Sequence, residues 1–229
     1  MSGSTIMNFV APPFDEKEAL RYAGCRDGWD NALPRACFDE LAPQLSYRVC
    51  FAEYQISRDE NGLDLGFAKT DSKDLARALR GCDQLIAFAA TVGFAPDRLV
   101  SRYERLSPAK ALLFQAIGAE RIEALCDVFS DRIAAICAEK GYRTTTRFSP
   151  GYGDLDLSIQ QPLLTALDAA KRCGITLTEG FLMLPTKSVT ALIGLKTSEG
   201  EASQRETEHT SRSKHKCASC PRTDCAFRR

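Results

Sequence analysis

The chain has no excess of charge of either sign: 30 Lys and Arg are matched by 30 Asp and Glu over 229 residues. A mixed, neutral surface sets up no field that would draw nucleic acid or an anionic membrane face, so neither is an expected partner. Long apolar runs are also missing, and no stretch approaches the roughly 20 residues that a membrane helix needs. The opening Met-Ser-Gly-Ser-Thr-Ile-Met-Asn-Phe-Val has no basic group ahead of an apolar segment, so no secretory leader is read there. The expectation is a soluble, cytoplasmic protein. From Lys196 to Lys216 there is no Val, Ile, Leu, Met, Phe, Trp or Tyr. Such a stretch buries too little to offset the entropy of ordering, so 196–216 is expected to be a flexible linker between a domain at 1–195 and a tail at 217–229. No internal repeat is found.

Cysteine, by contrast, is plentiful, at ten residues. Seven of them (Cys25, Cys37, Cys50, Cys82, Cys126, Cys137, Cys173) are scattered among apolar neighbours. Without a secretory leader they read as reduced, buried, small hydrophobes. The other three form Cys217-x2-Cys220-x4-Cys225, a metal-ligand spacing close to the end of the chain. A closed zinc or iron–sulfur site wants four ligands, and the fourth is open between His215, His209, Cys25, a partner's residue and a substrate. Lys and Arg residues nearby favour thiolates.

The body of the chain mixes two periods. Residues 15–24 and 35–44 read as helices, the first stopped by Gly24. Tyr47, Val49 and Phe51, then Tyr54 and Ile56, alternate with one slip, as in a strand with a bulge. Asp59-Glu-Asn-Gly62 is a hairpin turn leading to Leu63, Leu65 and Phe67. Ser72 or Asp71 caps the next helix. Asp83 to Val92 is a buried strand, with Thr91 at its end able to face a ligand or to cap a turn. Two helices are read over 107–117 and 119–140, the second with a core stripe of Ile122, Leu125, Cys126, Phe129, Ile133, Ile136 and Cys137. Glu123 lies beside that stripe, and both a surface acid and an inward, ligand-facing acid fit its position. A buried carboxylate there needs an arginine or a cationic ligand close by. Further on, 158–173 reads as one helix ended by Gly174, 175–184 as one strand, and 188–195 as another. Hairpins early and late with helices between them predict an α+β fold: a twisted, mainly antiparallel sheet flanked by helices.

Between the helical segments lies Arg147-Phe-Ser-Pro150-Gly151-Tyr152-Gly-Asp154. Arg147 offers a planar fork, Tyr152 a flat face with a polar tip, and Pro150 and Gly151 a fixed bend that a ligand can approach closely. The composition suits a small charged, aromatic ligand, and it suits an ordinary turn as well.

Three segments, in order, resemble the activation (reactivation) domain of cobalamin-dependent methionine synthase. They are Gly118-Ala-Glu-Arg-Ile-Glu123-Ala, the Arg147-x-x-Pro150-Gly151-Tyr152 loop, and Gly174-Ile-Thr-Leu-Thr-Glu179-Gly-Phe-Leu-Met183-Leu-Pro185-Thr-Lys-Ser188-Val189. The resemblance implies a loop that holds S-adenosylmethionine, with Glu123, Arg147, Pro150, Gly151 and Tyr152 as its binding residues. It implies remethylation of a cobalamin that has slipped to Co(II), with an electron from a flavodoxin-type donor. The chain departs from the large enzyme in lacking its folate, homocysteine and cobalamin modules, in lacking the tyrosine-bearing hairpin after the Ser-Val run, and in its cysteine tail. The expectation is a stand-alone reactivation subunit whose partner is a truncated methionine synthase or another corrinoid protein. The alternative is a non-catalytic module that docks on a corrinoid protein, with the cysteine cluster serving as a metal or redox group. Glu179 reads as a structural acid on a strand face.

Overall fold

The small, apolar run Gln84–Thr91 (β6) is the centre of the main sheet. In the computed structural model, which describes residues 3–25, 32–60 and 62–197, every residue of β6 after Gln84 is buried. Its neighbours are β2 (Arg48–Gln55) and β10 (Ser188–Thr197), both antiparallel to it. The edges are β1 (Thr5–Asn8) and β7 (Tyr142–Thr144), giving the order β1-β2-β6-β10-β7. A continuous apolar strand needs cover on both faces. One face is covered by α5 (Pro108–Glu139), which brings Ile122, Leu125, Cys126, Phe129, Ile133 and Cys137 against Phe88 and Ile193. The other is covered by α3 (Lys73–Ala78), α6 (Gln160–Ala166) and α7 (Ala169–Cys173), through Leu75, Leu163, Leu167 and Cys173. The result is the expected α+β fold, a curled antiparallel sheet flanked by helices. The N-terminal helices α1 (Glu16–Tyr22) and α2 (Ala32–Leu41), with α4 (Ala95–Tyr103), pack on the first turns of α5 around Leu41, Leu99 and Phe114.

A small second sheet, β3 (Ser57–Asp59), β4 (Gly62–Asp64) and β5 (Lys69–Thr70), follows β2. The slip in alternation near Ile56 marks the change of sheet: the Ile56 N–H turns to the Asp83 carbonyl at 2.8 Å. The hairpin therefore joins β3 to β4, while β2 pairs with β1 and β6.

Three sequence-based boundaries are corrected. Residues 108–139 form one helix, with no break near Gly118. A Cβ on Gly118 would lie 3.0 Å from Pro96 Cβ and 3.0 Å from Lys187 Cγ, so this glycine serves close approach of two neighbours inside a helix. Its cost in helix propensity, about 1 kcal/mol, is small against the packing of so long a helix. Residues 158–173 are broken at Asp168, whose φ is 51°, and the Leu167 carbonyl there accepts from the Ser4 hydroxyl at 2.7 Å. The break lets Leu167 and Ala169 both reach the core. Residues 175–184 form two short strands, β8 (Thr176–Leu177) and β9 (Met183–Leu184). Thr178 closes the turn between them, its backbone N–H donating to the Leu182 carbonyl at 2.9 Å and its hydroxyl accepting from the Leu182 N–H at 3.1 Å. Glu179 is exposed in that turn, off any strand face.

Of the scattered cysteines, Cys25 is half-buried and the other six are buried, those six as free thiols. Burial pushes the Cys126 thiol up to about 12, which keeps it a neutral core group. Among the described residues no helix is long and apolar enough to cross a membrane.

A candidate ligand cleft at the open edge of β10

The loop after β7 builds a cleft by leaving the sheet early. Phe148 exchanges both backbone hydrogen bonds with Leu192 of β10, at 2.9 and 2.8 Å. Beyond that bridge the chain turns away, and Ser188, Val189 and Thr190 of β10 line a cleft of about 170 Å³. Glu123 of α5 and Arg147, Pro150 and Tyr152 of the loop line it too, so four of the five residues singled out in the sequence meet there. Gly151 does not line it. With φ at 86° and its N–H on the Leu155 carbonyl at 2.8 Å, Gly151 shapes the bend instead. Tyr152 is 62% exposed, its ring in a T-shaped contact with Phe148 at 6.3 Å between centroids, while Pro150 is buried.

The Arg147 guanidinium spans two carboxylates one helical turn apart. It donates to Glu123 Oε2 at 2.5 Å and to Asp127 Oδ1 at 2.8 Å. One cation against two anions leaves the group with a single net negative charge. Burial pushes the Glu123 carboxyl above the usual carboxylate range; Arg147 pulls it back in part and Asp127 adds to the rise. The half-buried Tyr22 hydroxyl of α1 is raised to about 12, first by burial and then by Glu123 and Glu18.

The far end of the loop is tied down by Asp154. Its carboxylate accepts from the Ser72 hydroxyl and from the backbone N–H groups of Lys73 (2.8 Å) and Asp74 (3.1 Å), at the start of α3. The Ser72 bond, with the two N–H bonds, holds the Asp154 carboxyl below its ordinary range, so the tie persists at neutral pH and is lost as pH falls through that lowered range. Gly153 fits beneath it because a Cβ would come within 2.3 Å of Asp74 Oδ2. Asp154→Ala is expected to raise hydrogen–deuterium exchange of the 148–155 amides by about tenfold. Mass spectrometry of peptides from that loop checks this; unchanged exchange means the loop is held by other contacts.

Three buried polar residues of the cleft were not read from the sequence as binding residues: Gln160, Ser188 and Thr190. They are 5%, 7% and 2% exposed. Ser188 donates to the Thr91 hydroxyl at 3.0 Å, and Thr91 in turn accepts from the Gly93 N–H, so Thr91 serves the turn. Gln160 Oε1 and Thr190 Oγ1 are buried without a hydrogen-bond partner among the described residues. A larger hollow of about 280 Å³, lined by Asp74, Arg77, Ala78, Phe148 and Gly153, lies behind the loop. It is a wide surface depression with no unpaired buried polar atom among its lining residues, so the smaller cleft is the candidate site.

Residues 74–201, more than half of the chain, match the family described as the activation domain of vitamin B12-dependent methionine synthase. The chain belongs to this family. A crystal structure described as the MetH reactivation domain bound to AdoHcy aligns with a TM-score of 0.57 at 14% identity, covering 87% of this chain and 80% of that chain. At that identity the likeness establishes a shared activation-domain fold. A search of curated proteins found no match. The cleft lies wholly within the matched segment.

Cys217, Cys220 and Cys225, together with His209, His215 and the linker from residue 198 onward, lie outside the described residues. Cys25 sits just after α1, its thiol directed at the Ala23 carbonyl at 3.6 Å. Among the described residues no group of three or more His, Cys, Asp and Glu side chains is placed to hold a metal ion.

Proposed function

We propose that this chain is a stand-alone reactivation subunit that binds S-adenosylmethionine in the cleft and supports reductive methylation of cob(II)alamin carried by a partner. The observation that carries the reading is the meeting, in one open cleft of an activation-domain fold, of an exposed aromatic side chain, a net-negative mouth and buried oxygens with no partner among the described residues. The related MetH structure is described as bound to AdoHcy, the same nucleoside without its methyl group. The partner is a truncated cobalamin-dependent methionine synthase or another corrinoid protein, with a flavodoxin-type reductant. On spacing alone, Cys217, Cys220 and Cys225 are read as a zinc or iron–sulfur ligand set.

When bound, the donor supplies a methyl group already activated by its sulfonium. Little acid–base chemistry is then asked of the protein, whose work is alignment. Tyr152 provides a stacking face. The Glu123–Arg147–Asp127 group favours a cation at the mouth, because its guanidinium is already spent on two carboxylates. Pro150 and Gly151 hold the bend rigid, and Asp154 fixes the bend to α3.

Calorimetry with S-adenosylmethionine, with and without the corrinoid partner, tests the reading; no heat at millimolar ligand in either case would sink it. The same titration carries a pH signature. Glu123 must be ionised to attract the cation, and its carboxyl is raised, so affinity should begin to fall on acidification above the ordinary glutamate range. The unliganded fold behaves oppositely at this residue. A raised carboxyl adds stability as it takes up its proton and loses that stability as pH rises, so weaker binding in mild acid will not come from Glu123 destabilising the fold. Glu123→Gln should abolish this pH dependence. A binding curve that stays flat down to the pH of ordinary glutamates rules out Glu123 as the sensor.

A further inference from the structure

The cleft is graded from neutral to charged. Its floor is polar but uncharged: Gln160 and Thr190 are 5% and 2% exposed, and each carries an unpaired buried oxygen. Its mouth is ionic: Arg147 and Glu123 line it, with side chains 26% and 42% exposed, and Asp127, 57% exposed, pairs with Arg147 beside it. Antiparallel alternation aims the backbone N–H and C=O of Thr190 the same way as those of Leu192, toward the edge that Phe148 has vacated. The floor therefore gathers a carboxamide, a hydroxyl and a strand edge. An unpaired acceptor buried in a protein carries the full cost of its lost hydration, so such a cluster calls for a ligand group that satisfies it.

Two features narrow that group. A volume of about 170 Å³ lies below the roughly 300–1,000 Å³ of pockets that enclose a whole drug-sized ligand. It admits one planar ring and leaves the rest of a nucleoside at the mouth. No charged side chain lines the floor, so the group seated there is neutral and must bring a hydrogen-bond donor to Gln160 Oε1. A carboxamide meets an adenine edge in two bonds, its oxygen taking the exocyclic amine and its nitrogen donating to a ring nitrogen.

We infer that Gln160 and Thr190 form a floor that seats the nucleoside base-inward, Gln160 selecting the exocyclic amine of adenine and Thr190 holding the base whatever its amine, with the sulfonium at the Glu123–Arg147–Asp127 mouth. This rests on the donor reading of the same cleft and adds its specificity and polarity. The orientation places the transferable methyl at the open end of the cleft, where a partner's corrinoid can reach it. It also assigns Gln160 a specificity role within the matched family segment.

The test uses the full chain and two neutral-sulfur ligands, S-adenosylhomocysteine and its 6-deamino analogue, which carries purine in place of adenine. The unmodified protein is expected to prefer the adenosyl ligand by about tenfold or more, the worth of a buried bond left unmade. Gln160→Met, similar in volume, should bring the two ligands to within about twofold of each other by weakening the adenosyl one. Thr190→Val, which keeps the shape of the floor, should weaken both by roughly fivefold and leave their ratio unchanged. Melting curves confirm that each variant is folded. Equal binding of the two ligands by the unmodified protein, or a preference that survives Gln160→Met, overturns the inference while the donor reading stands. Failure of the unmodified protein to bind either ligand overturns both.

Discussion

Neutralising the two acids at the mouth, Glu123→Gln with Asp127→Asn, is expected to weaken S-adenosylmethionine binding by about 30-fold or more while S-adenosylhomocysteine loses less than about fivefold. In the native cleft one guanidinium faces two carboxylates. The double variant turns a net charge of −1 into +1 and leaves Arg147 unpaired beside the ligand. S-adenosylmethionine carries a sulfonium in addition to its ammonium and carboxylate; S-adenosylhomocysteine carries only the latter two, which cancel. A shift of two charges near the sulfur therefore acts on the first ligand and nearly spares the second. The size follows from unit charges about 4–6 Å apart at an effective dielectric of 20 or more, about 1–4 kcal/mol per pair before solvent screening. Because these side chains are partly exposed, the low end of that range applies to each. Raising salt should shrink the difference in the native protein and leave the neutral ligand's affinity nearly constant. Parallel calorimetric titrations of both ligands check this, and an equal loss for both would show that the acids act by shaping the loop and not by charge.

The second large effect concerns the helix that presents those acids. Phe129→Ala should destabilise the domain by about 3–5 kcal/mol, a large share of the roughly 5–15 kcal/mol available to a folded domain. Phe129 is fully buried and touches three other rings, Phe88, Phe51 and Phe9, with centroids 4.7, 5.4 and 6.2 Å away. The strands β1, β2 and β6 hold the surrounding side chains in place, so the vacated space cannot easily collapse. Thermal unfolding should start about 10 °C lower, and the denaturant midpoint should fall in proportion. Phe129→Leu, which refills most of the volume, should recover more than half of the loss. A Phe129→Ala protein that melts within about 2 °C of the native one would mean that α5 is not the main cover of this face of the sheet. The link to the site is rotational. Ile122, Cys126 and Phe129 dock the helix and thereby fix which way Glu123 and Asp127 point. In a survivor of this substitution, ligand affinity should fall along with stability.

The sequence by itself determined the parts of this protein that depend on neighbours along the chain. The apolar run at β6, the stripe on α5, the Asn-Gly hairpin signal and the Ser72 cap all declare themselves within a few residues, because burial and capping act through local period and chemistry. The Arg-x-x-Pro-Gly-Tyr loop and the two segments around it were legible for the same reason, and they led to the family. Where two local readings competed, tertiary packing chose. Gly118 stayed inside a helix because Pro96 and Lys187 pack where its side chain would be, and Asp168 broke another helix where both Leu167 and Ala169 reach the core. The partnership of Arg147 with both Glu123 and Asp127 spans 20 residues or more of sequence, so no local pattern could announce it. Gln160 and Thr190 gave no sequence signal at all. A glutamine in a first turn and a threonine in a strand are ordinary until the fold buries them face to face with an empty space and gives their oxygens nothing to bond.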